Sequence, residues 1–540
     1  MEQVIMAAVG KPELKYAATT SLCVQVRQRA LTRLLLALLS GAMLSLPWVD
    51  GGLYWSGWIG WVPLLFALHA SSLRQAALLG WCCGTVFYIG TAYWMVDFVI
   101  HLKGLSLPVS LLLASLFWLY AGASIAVGCV LFRLISRRLP QLDLISFPLA
   151  LVIACALYPT LFDLRFSETQ AAFVLAIQGV DLVGAQGLDM LMLLTSALLF
   201  QWLQRDLGGL KGQLALGGSA LVLIWFVYGW FALGHWDRQA AAWPTMRIGL
   251  VQPNDAPTRR IPAPPEGYSR EYPEEMVATR RLSAAGARWV AWPEARYKGY
   301  FDQQSVRQAW ADQILGMSSD LFFHDVETRN RHATPVSYNT LGWLGQEGAL
   351  VDQYRKMQRV PFGEYLPDFW TLPGINWLTT RFFGDYLREV GEGQEHVFFP
   401  IEGMRVVPKI CYETAFPEFI AEAIGSDAGG KVLLFVSQDN WFGESSQPFQ
   451  HRAMSIVRAV ENRVPMLHLI NNGPSVAALP SGRAIAGTPA FSRAEMLVDL
   501  PYSPTRGGSF FTRHAQHLNW FWYTALAVLL GCALWPRRRR

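Results

Sequence analysis

The chain has 540 residues, of which 52% are hydrophobic, only 16% are charged and 22 are tryptophan, with a formal net charge of +5. That length holds about three or four average domains, but the composition excludes an ordinary soluble protein. The positive excess lies in short stretches beside apolar runs, which reads as a membrane-topology signal rather than a nucleic-acid-binding patch.

Residues 1–29 lack the apolar core of a signal peptide and read as an N-terminal tail. Residues 30–240 read as a membrane domain. A bilayer core about 30 Å thick takes about 20 apolar residues of helix. Seven runs near that length follow one another, at 31–48, 53–69, 75–97, 107–133, 144–162, 180–203 and 213–234. The fifth is the weakest, because Pro159 and the charges of "YPTLFDLRF" break it. An eighth run near 519–536 lies in a C-terminal segment, 518–540, that closes with Arg537 to Arg540. With the N-terminus inside, the inner segments hold Arg27, Arg29, Arg74, Arg133, Arg137, Arg138, Arg205, Lys211 and the basic tail. The outer loops hold little beyond Lys103 and Arg165. This asymmetry predicts cytoplasmic termini and an outer-face location for the block between helices seven and eight.

That block, residues 244–517, alternates apolar strands with amphipathic helices. "MRIGLVQPN" reads as a strand, 268–285 as a helix, "ARWVAWPEA" as a strand and 303–317 as a helix. "DLFFHDV", then "SYNTLGWLG" and "GALVDQYRKM", read as strands, the last two forming a hairpin. "MRVVPKICYE" is a strand followed by a helix from Pro417 to about Gly425; "KVLLFVSQDN" and "PMLHLINN" are strands flanking the helix "QHRAMSIVRAVENR". "SVAALPSGRAI" reads as a final turn-linked pair. Helices interleaved with runs of strands predict an α/β domain with a mixed sheet.

Six of the seven cysteines, Cys23, Cys82, Cys83, Cys129, Cys155 and Cys532, lie in the tail or the apolar runs, leaving Cys411 alone in the exported block. A lone thiol there is either buried or used. Glu294 ends "WVAWPE", Lys356 ends "GALVDQYRK" and Cys411 ends "VVPKIC", and strand ends are where α/β proteins gather reactive groups. A carboxylate can take the thiol proton, and an ammonium can favour the thiolate and then stabilise an oxyanion together with the backbone N–H after the cysteine. Glu, Lys and Cys therefore form a self-consistent acyl-transfer set. Each also has a bland reading, as a helix cap, a solvated turn residue and core filler.

These residues, in the contexts "WPE", "YRK…VPFGEYLP" and "ICYE…FPE", resemble the Glu–Lys–Cys triad of the carbon–nitrogen hydrolase (nitrilase) superfamily. With the membrane helices, and with "WFG" at 441–443, "RAVENRVP" at 458–465 and "NNG" at 471–473, the chain resembles the apolipoprotein N-acyltransferase family. The resemblance implies an αββα sandwich beside a polytopic α-helical bundle of about eight transmembrane helices. It implies that Cys411 takes an acyl chain from a phospholipid and passes it to the α-amino group of a diacylated apolipoprotein, with Glu294 as base and Lys356 steadying the intermediates. It further implies supporting roles for Glu364, Tyr412, Glu413 and Asn339. The aromatic stretch "DFWTLPGINWLTTRFF" at 368–383, which contains Trp377, reads as an interfacial arm, and Trp441 and Phe442 as the acyl entrance. "SQDNWFG" stands where relatives commonly have "SNDAWFG".

No metal cluster, phosphate loop or nucleotide fingerprint is present in the sequence, so no cofactor is expected. His451 and His468 read as structural. A monomer in the bacterial inner membrane is expected. The alternatives are a membrane-tethered amidase or hydrolase, an acyltransferase with another amine acceptor, and a catalytically silent lipid-binding protein.

Overall fold

The computed structural model describes residues 30–535 apart from 259–260, 296, 332–333, 366–371, 373, 375–376, 378–389 and 506. The tail with Cys23, the basic end and most of the aromatic arm thus lie outside the described residues.

The membrane half begins with α1 (Ala30–Val49), the short α2 (Ser56–Ile59) and α3 (Val62–Leu68), α4 (Leu73–Thr91) and α5 (Met95–Lys103). α6 (Leu107–Ser136), α7 (Asp143–Leu157), α8 (Val180–Gln204) and α9 (Gly209–Ala241) follow. Among the described residues six helices are long and apolar enough to cross a bilayer, the sixth being Phe510–Leu534, or seven when α4 and α5 count as one span bent by 60°. The run expected at 53–69 is broken, because Gly60 and Pro63 fall within it. Ser56–Leu68 extends only about 20 Å at the helical rise, short of the bilayer core.

Side chains from elsewhere donate to backbone carbonyls at the bend between α4 and α5 and at the end of α1. Trp118 Nε1 donates to Ala92 O at 2.9 Å, and Gln450 Nε2 donates to Thr91 O at 2.9 Å and Trp48 O at 3.0 Å. Trp94 Nε1 donates back to Gln450 Oε1 at 3.2 Å. An inserted side chain is a recognised cause of a kink.

After α9 come β1 (Thr245–Gln252), α10 (Glu274–Ala284), β2 (Trp289–Ala291), α11 (Gln304–Ile314), β3 (Asp320–Arg331), β4 (Thr334–Leu344) and β5 (Leu350–Arg355). Then come β6 (Phe399–Ile401), β7 (Met404–Ile410), α12 (Pro417–Ile424), β8 (Lys431–Ser437), α13 (Gln447–Asn462) and β9 (Met466–Ile470). β10 (Val476–Ala478), β11 (Ala484–Gly487), β12 (Ala494–Pro501) and α14 (Phe510–Leu534) complete the order.

Two six-stranded sheets result, in the orders β12-β1-β2-β3-β4-β5 and β11-β10-β9-β8-β7-β6. Their centres are parallel, β1 to β2 to β3 and β7 to β8 to β9, and their margins antiparallel. Every residue of β8 and β9 is buried, as continuous apolar runs in a parallel sheet require. Ile248, Leu250, Trp289 and Phe322 of one sheet pack on Val406, Val432, Leu434 and Leu467 of the other. α10 and α11 cover the first sheet through Met276, Leu282, Val306, Trp310 and Ile314. α12 and α13 cover the second, and Ile420, Val457 and Val460 join one core with the membrane helices.

The result is a mixed-sheet αββα sandwich with its second helix layer seated on the bundle. β6 and β12 have no counterpart in the sequence reading. β12 pairs with β1 from Thr245↔Pro501 to Gln252↔Ala494, and its alternating exposure at a sheet edge reads locally as linker. α14 starts at Phe510, nine residues before its apolar run, because Ser509 caps it by accepting from Thr512 N at 2.8 Å.

Candidate active site

β7 ends at Ile410, and Cys411 opens a 3₁₀ turn, Cys411–Ala415, with φ of +51°. Such left-handed backbone is costly for a residue with a Cβ and persists where the surroundings enforce it. Glu413 does much of the enforcing. Its buried carboxylate accepts from Ile410 N at 2.7 Å, Met357 N at 2.8 Å, Gln358 N at 3.1 Å and the Tyr354 hydroxyl at 2.6 Å. It therefore ties the end of β5 to the turn carrying Cys411. Glu413 is not among the residues that line the cavity described next.

Glu294, Lys356 and Cys411 line one cavity of about 760 Å³, together with Asn339, Glu364, Tyr412, Trp441 and Phe442. That volume suits a small-molecule or acyl-sized ligand. Lys356 is 1% exposed, and its Nζ lies 2.9 Å from Glu364 Oε1. Glu364 is held in turn by Asn339 Nδ2 and by Val360 N at 2.8 Å. Burial opposes a charge on Lys356, but Glu364, Glu294 and Cys411 outweigh it and hold the ammonium above the ordinary lysine range. Burial raises Glu294 to about 7; Lys356, a hydrogen bond from the Cys411 thiol and Gln438 N at 3.0 Å pull the other way. Burial, aided by Glu294, also pushes the Cys411 thiol well up, with Lys356 opposing. At rest the site therefore holds a neutral thiol, a carboxyl poised near neutrality and a fixed positive charge.

The opposite wall is apolar and comes largely from the membrane half. Trp94, Phe98 and Leu102, at i, i+4 and i+8 around α5, face the cavity with Phe162, Leu164 and Met454. Phe98 stacks on Phe442 at 5.1 Å, and the Tyr412 hydroxyl donates to Leu161 O at 3.0 Å. His101 Nδ1 lies 3.1 Å from Trp441 O, so the "WFG" turn is docked on α5. Gly443 has φ of +67°, and a Cβ there would meet Asp97 at 3.2 Å, which accounts for glycine in that motif. Trp377 is 68% exposed and stands apart from the cavity lining.

Sequence reasoning missed the α5 wall, because in a uniformly apolar segment no face stands out. His451, which the sequence reading gave only a structural role, lines the cavity. His468 is a satisfied core histidine, 3.0 Å from both Ser437 Oγ and Ser455 Oγ. Among the described residues no group of His, Cys, Asp and Glu could hold a metal ion.

Residues 269–506 match the family model for carbon-nitrogen hydrolase. An amidase from Nesterenkonia sp., 20% identical, aligns with a TM-score of 0.36 over 51% of this chain and 96% of its own. The fold and the family match together define a bundle of apolar helices that carries an α/β domain of the carbon–nitrogen hydrolase type. Residues 40–198 match the model for the apolipoprotein N-acyltransferase N-terminal domain. Proteins named apolipoprotein N-acyltransferase from Geobacter metallireducens and Pseudomonas aeruginosa are 29% and 28% identical, covering 92% and 94% of this chain and 95% and 96% of theirs. Over most of its length the chain is thus similar to proteins named apolipoprotein N-acyltransferase.

Proposed function

We propose that this protein moves an acyl chain from a phospholipid to the N-terminal α-amino group of a diacylglyceryl-modified lipoprotein, through a thioester on Cys411. The carrying observation is that Glu294, Lys356 and Cys411 meet in one cavity whose other wall belongs to the membrane helices. In the first half-reaction Cys411 Sγ attacks the donor ester carbonyl while Glu294 takes the thiol proton. Lys356 stabilises the oxyanion; the carbon–oxygen bond breaks, Glu294 returns the proton to the leaving alkoxide and a lysophospholipid departs. In the second, the amine attacks the thioester, Glu294 accepts its proton, and the Cys411 thiolate leaves as the amide forms and takes that proton from Glu294 to restore the thiol. Glu364 and Asn339 hold Lys356 in place for both steps.

The bilayer enters the energetics. Each buried CH₂ is worth about 0.8 kcal/mol, so pulling a long chain into water for a soluble thiol is prohibitive. The apolar α5 wall supports delivery within the membrane. The basic-loop asymmetry supports a multi-pass protein of the bacterial inner membrane, with both termini cytoplasmic and the catalytic domain on the periplasmic side. It is proposed to act as a monomer, without a cofactor.

The test is intact mass after incubation of purified protein with phospholipid micelles, with Cys411→Ser as control. The expected result is an acyl-sized adduct on the wild type alone, discharged to an amide by a diacylated lipopeptide. Discharge to free fatty acid by water alone would mean a hydrolase; no adduct would overturn the thioester.

A further inference from the structure

His451 is 5% exposed and stands beneath the nucleophile. Its Nδ1 lies 2.9 Å from Asp439 Oδ2 and 3.1 Å from Oδ1, while its Nε2 lies 3.1 Å from Cys411 O and 3.3 Å from Thr414 Oγ1. Thr414 Oγ1 itself donates to Cys411 O at 2.9 Å. Both ring nitrogens thus face acceptors, a carboxylate and a carbonyl, and only the doubly protonated imidazolium can donate to both. Burial works against that charge, but Asp439, the Cys411 carbonyl and Glu294 outweigh it and raise His451 above the ordinary histidine value. His468 packs edge-on against the ring at 4.5 Å.

The Cys411 carbonyl is therefore held by two donors, one of them charged. The Cys411–Tyr412 peptide bond is trans, so its N–H points opposite to its C=O. Tyr412 lies in the first turn of the 3₁₀ segment, where N–H groups find no acceptor within the helix. Clamping the carbonyl on one side of the peptide plane aims the Tyr412 N–H on the other.

We propose that His451 and Asp439 are positioning residues: with Thr414 they lock the Cys411–Tyr412 peptide plane so that the Tyr412 N–H joins Lys356 in receiving the oxyanion. This rests on the thioester reading above. The dyad acts through the peptide unit, which His451 holds by its carbonyl. It also offsets the cost of the left-handed conformation at Cys411.

Two reactions of the same thiol separate this role from simple packing. Acylation by phospholipid passes through an oxyanion, whereas alkylation by iodoacetamide displaces iodide and forms none. Both are followed on the detergent-solubilised full chain, with Cys411 alkylation read by peptide mapping. The expected result for His451→Leu is a fall in acylation rate of about 100-fold, the usual worth of one oxyanion donor, with alkylation within about threefold of wild type. His451→Gln, whose amide keeps one donor, should recover about tenfold of that loss. If His451→Leu does not fold, Asp439→Asn and Thr414→Val are read in the same two assays, with the same expected split. Acylation unchanged, acylation and alkylation falling together, or glutamine no better than leucine would each overturn the proposal. A wild type that alkylates at Cys411 but takes up no acyl group would instead remove the thioester reading, and this inference with it.

Discussion

Glu294, raised by burial to about 7, is suited to taking up a proton and giving it back once in each half-reaction near neutral pH. A general base works only when deprotonated, so acylation of Cys411 should fall about tenfold per pH unit below that value. Single-turnover acylation rates between pH 5 and 9 check this; a flat profile would remove Glu294 as base. The same shift carries a stability cost. The fold favours the protonated carboxyl, so stability is fully present below the ordinary value of 4.5 and is lost as pH rises through about 7. Glu294→Gln removes that dependence and should be inactive yet more heat-resistant than wild type at pH 8, by up to about 3 kcal/mol. Glu413 acts differently although it sits two residues from the nucleophile. Glu413→Ala should destabilise the domain by several kcal/mol, since it strands one buried and two part-buried backbone N–H groups, measurable as a lower Tm even with the cavity empty. That Glu294, Lys356 and Cys411 belong together was legible in sequence because each closes a strand inside a distinctive local motif. The bracing by Glu413 was not, since its partners at 354–358 become neighbours only after folding.

At the scale of elements, the junction of α4 and α5 decides what the cavity's second wall is made of. Gln450, from α13, satisfies the carbonyls of Thr91 and Trp48 and the Trp94 indole at once. Gln450→Leu would leave those buried groups unpaired, at a cost of about 1–3 kcal/mol for each. The expected outcome is a clear drop in melting temperature together with loss of acylation; an unchanged melt would mean that the bend needs no such support. The runs in the sequence predicted a helix at each of these places. Where α4 bends into α5 depends on partners tens to hundreds of residues away, which no local pattern contains.

For the whole molecule, "RAVENRVP" acts as a docking element. Arg463 Nε lies 2.8 Å from Asp181, and its other nitrogens bond Gln178 and Pro480 O. Arg458 lies 3.2 Å from Glu168. Glu461 Oε1 accepts from Ala185 N at 2.7 Å, an N–H freed where Gly184 adopts φ of +70° within α8. Breaking one partner of a buried ion pair costs about 3–5 kcal/mol, whereas replacing both with apolar residues costs far less. Arg463→Ala should therefore lower the Tm markedly, and Arg463→Leu with Asp181→Leu should recover most of the loss. A double variant no better than the single would show that the pair does not hold the two halves together.

Apolar runs, strand and helix periodicity and three motif-borne residues are local properties, so the sequence alone determined the bundle, the mixed-sheet α/β domain and the order Glu294, Lys356, Cys411. Tertiary structure decided what stands opposite them. It bent α4 into α5, turned Trp94, Phe98 and Leu102 toward the cavity, and brought His451 and Asp439 under the Cys411 carbonyl. Each of those outcomes depends on long-range packing and on satisfying buried polar groups. That energy appears only when distant segments meet.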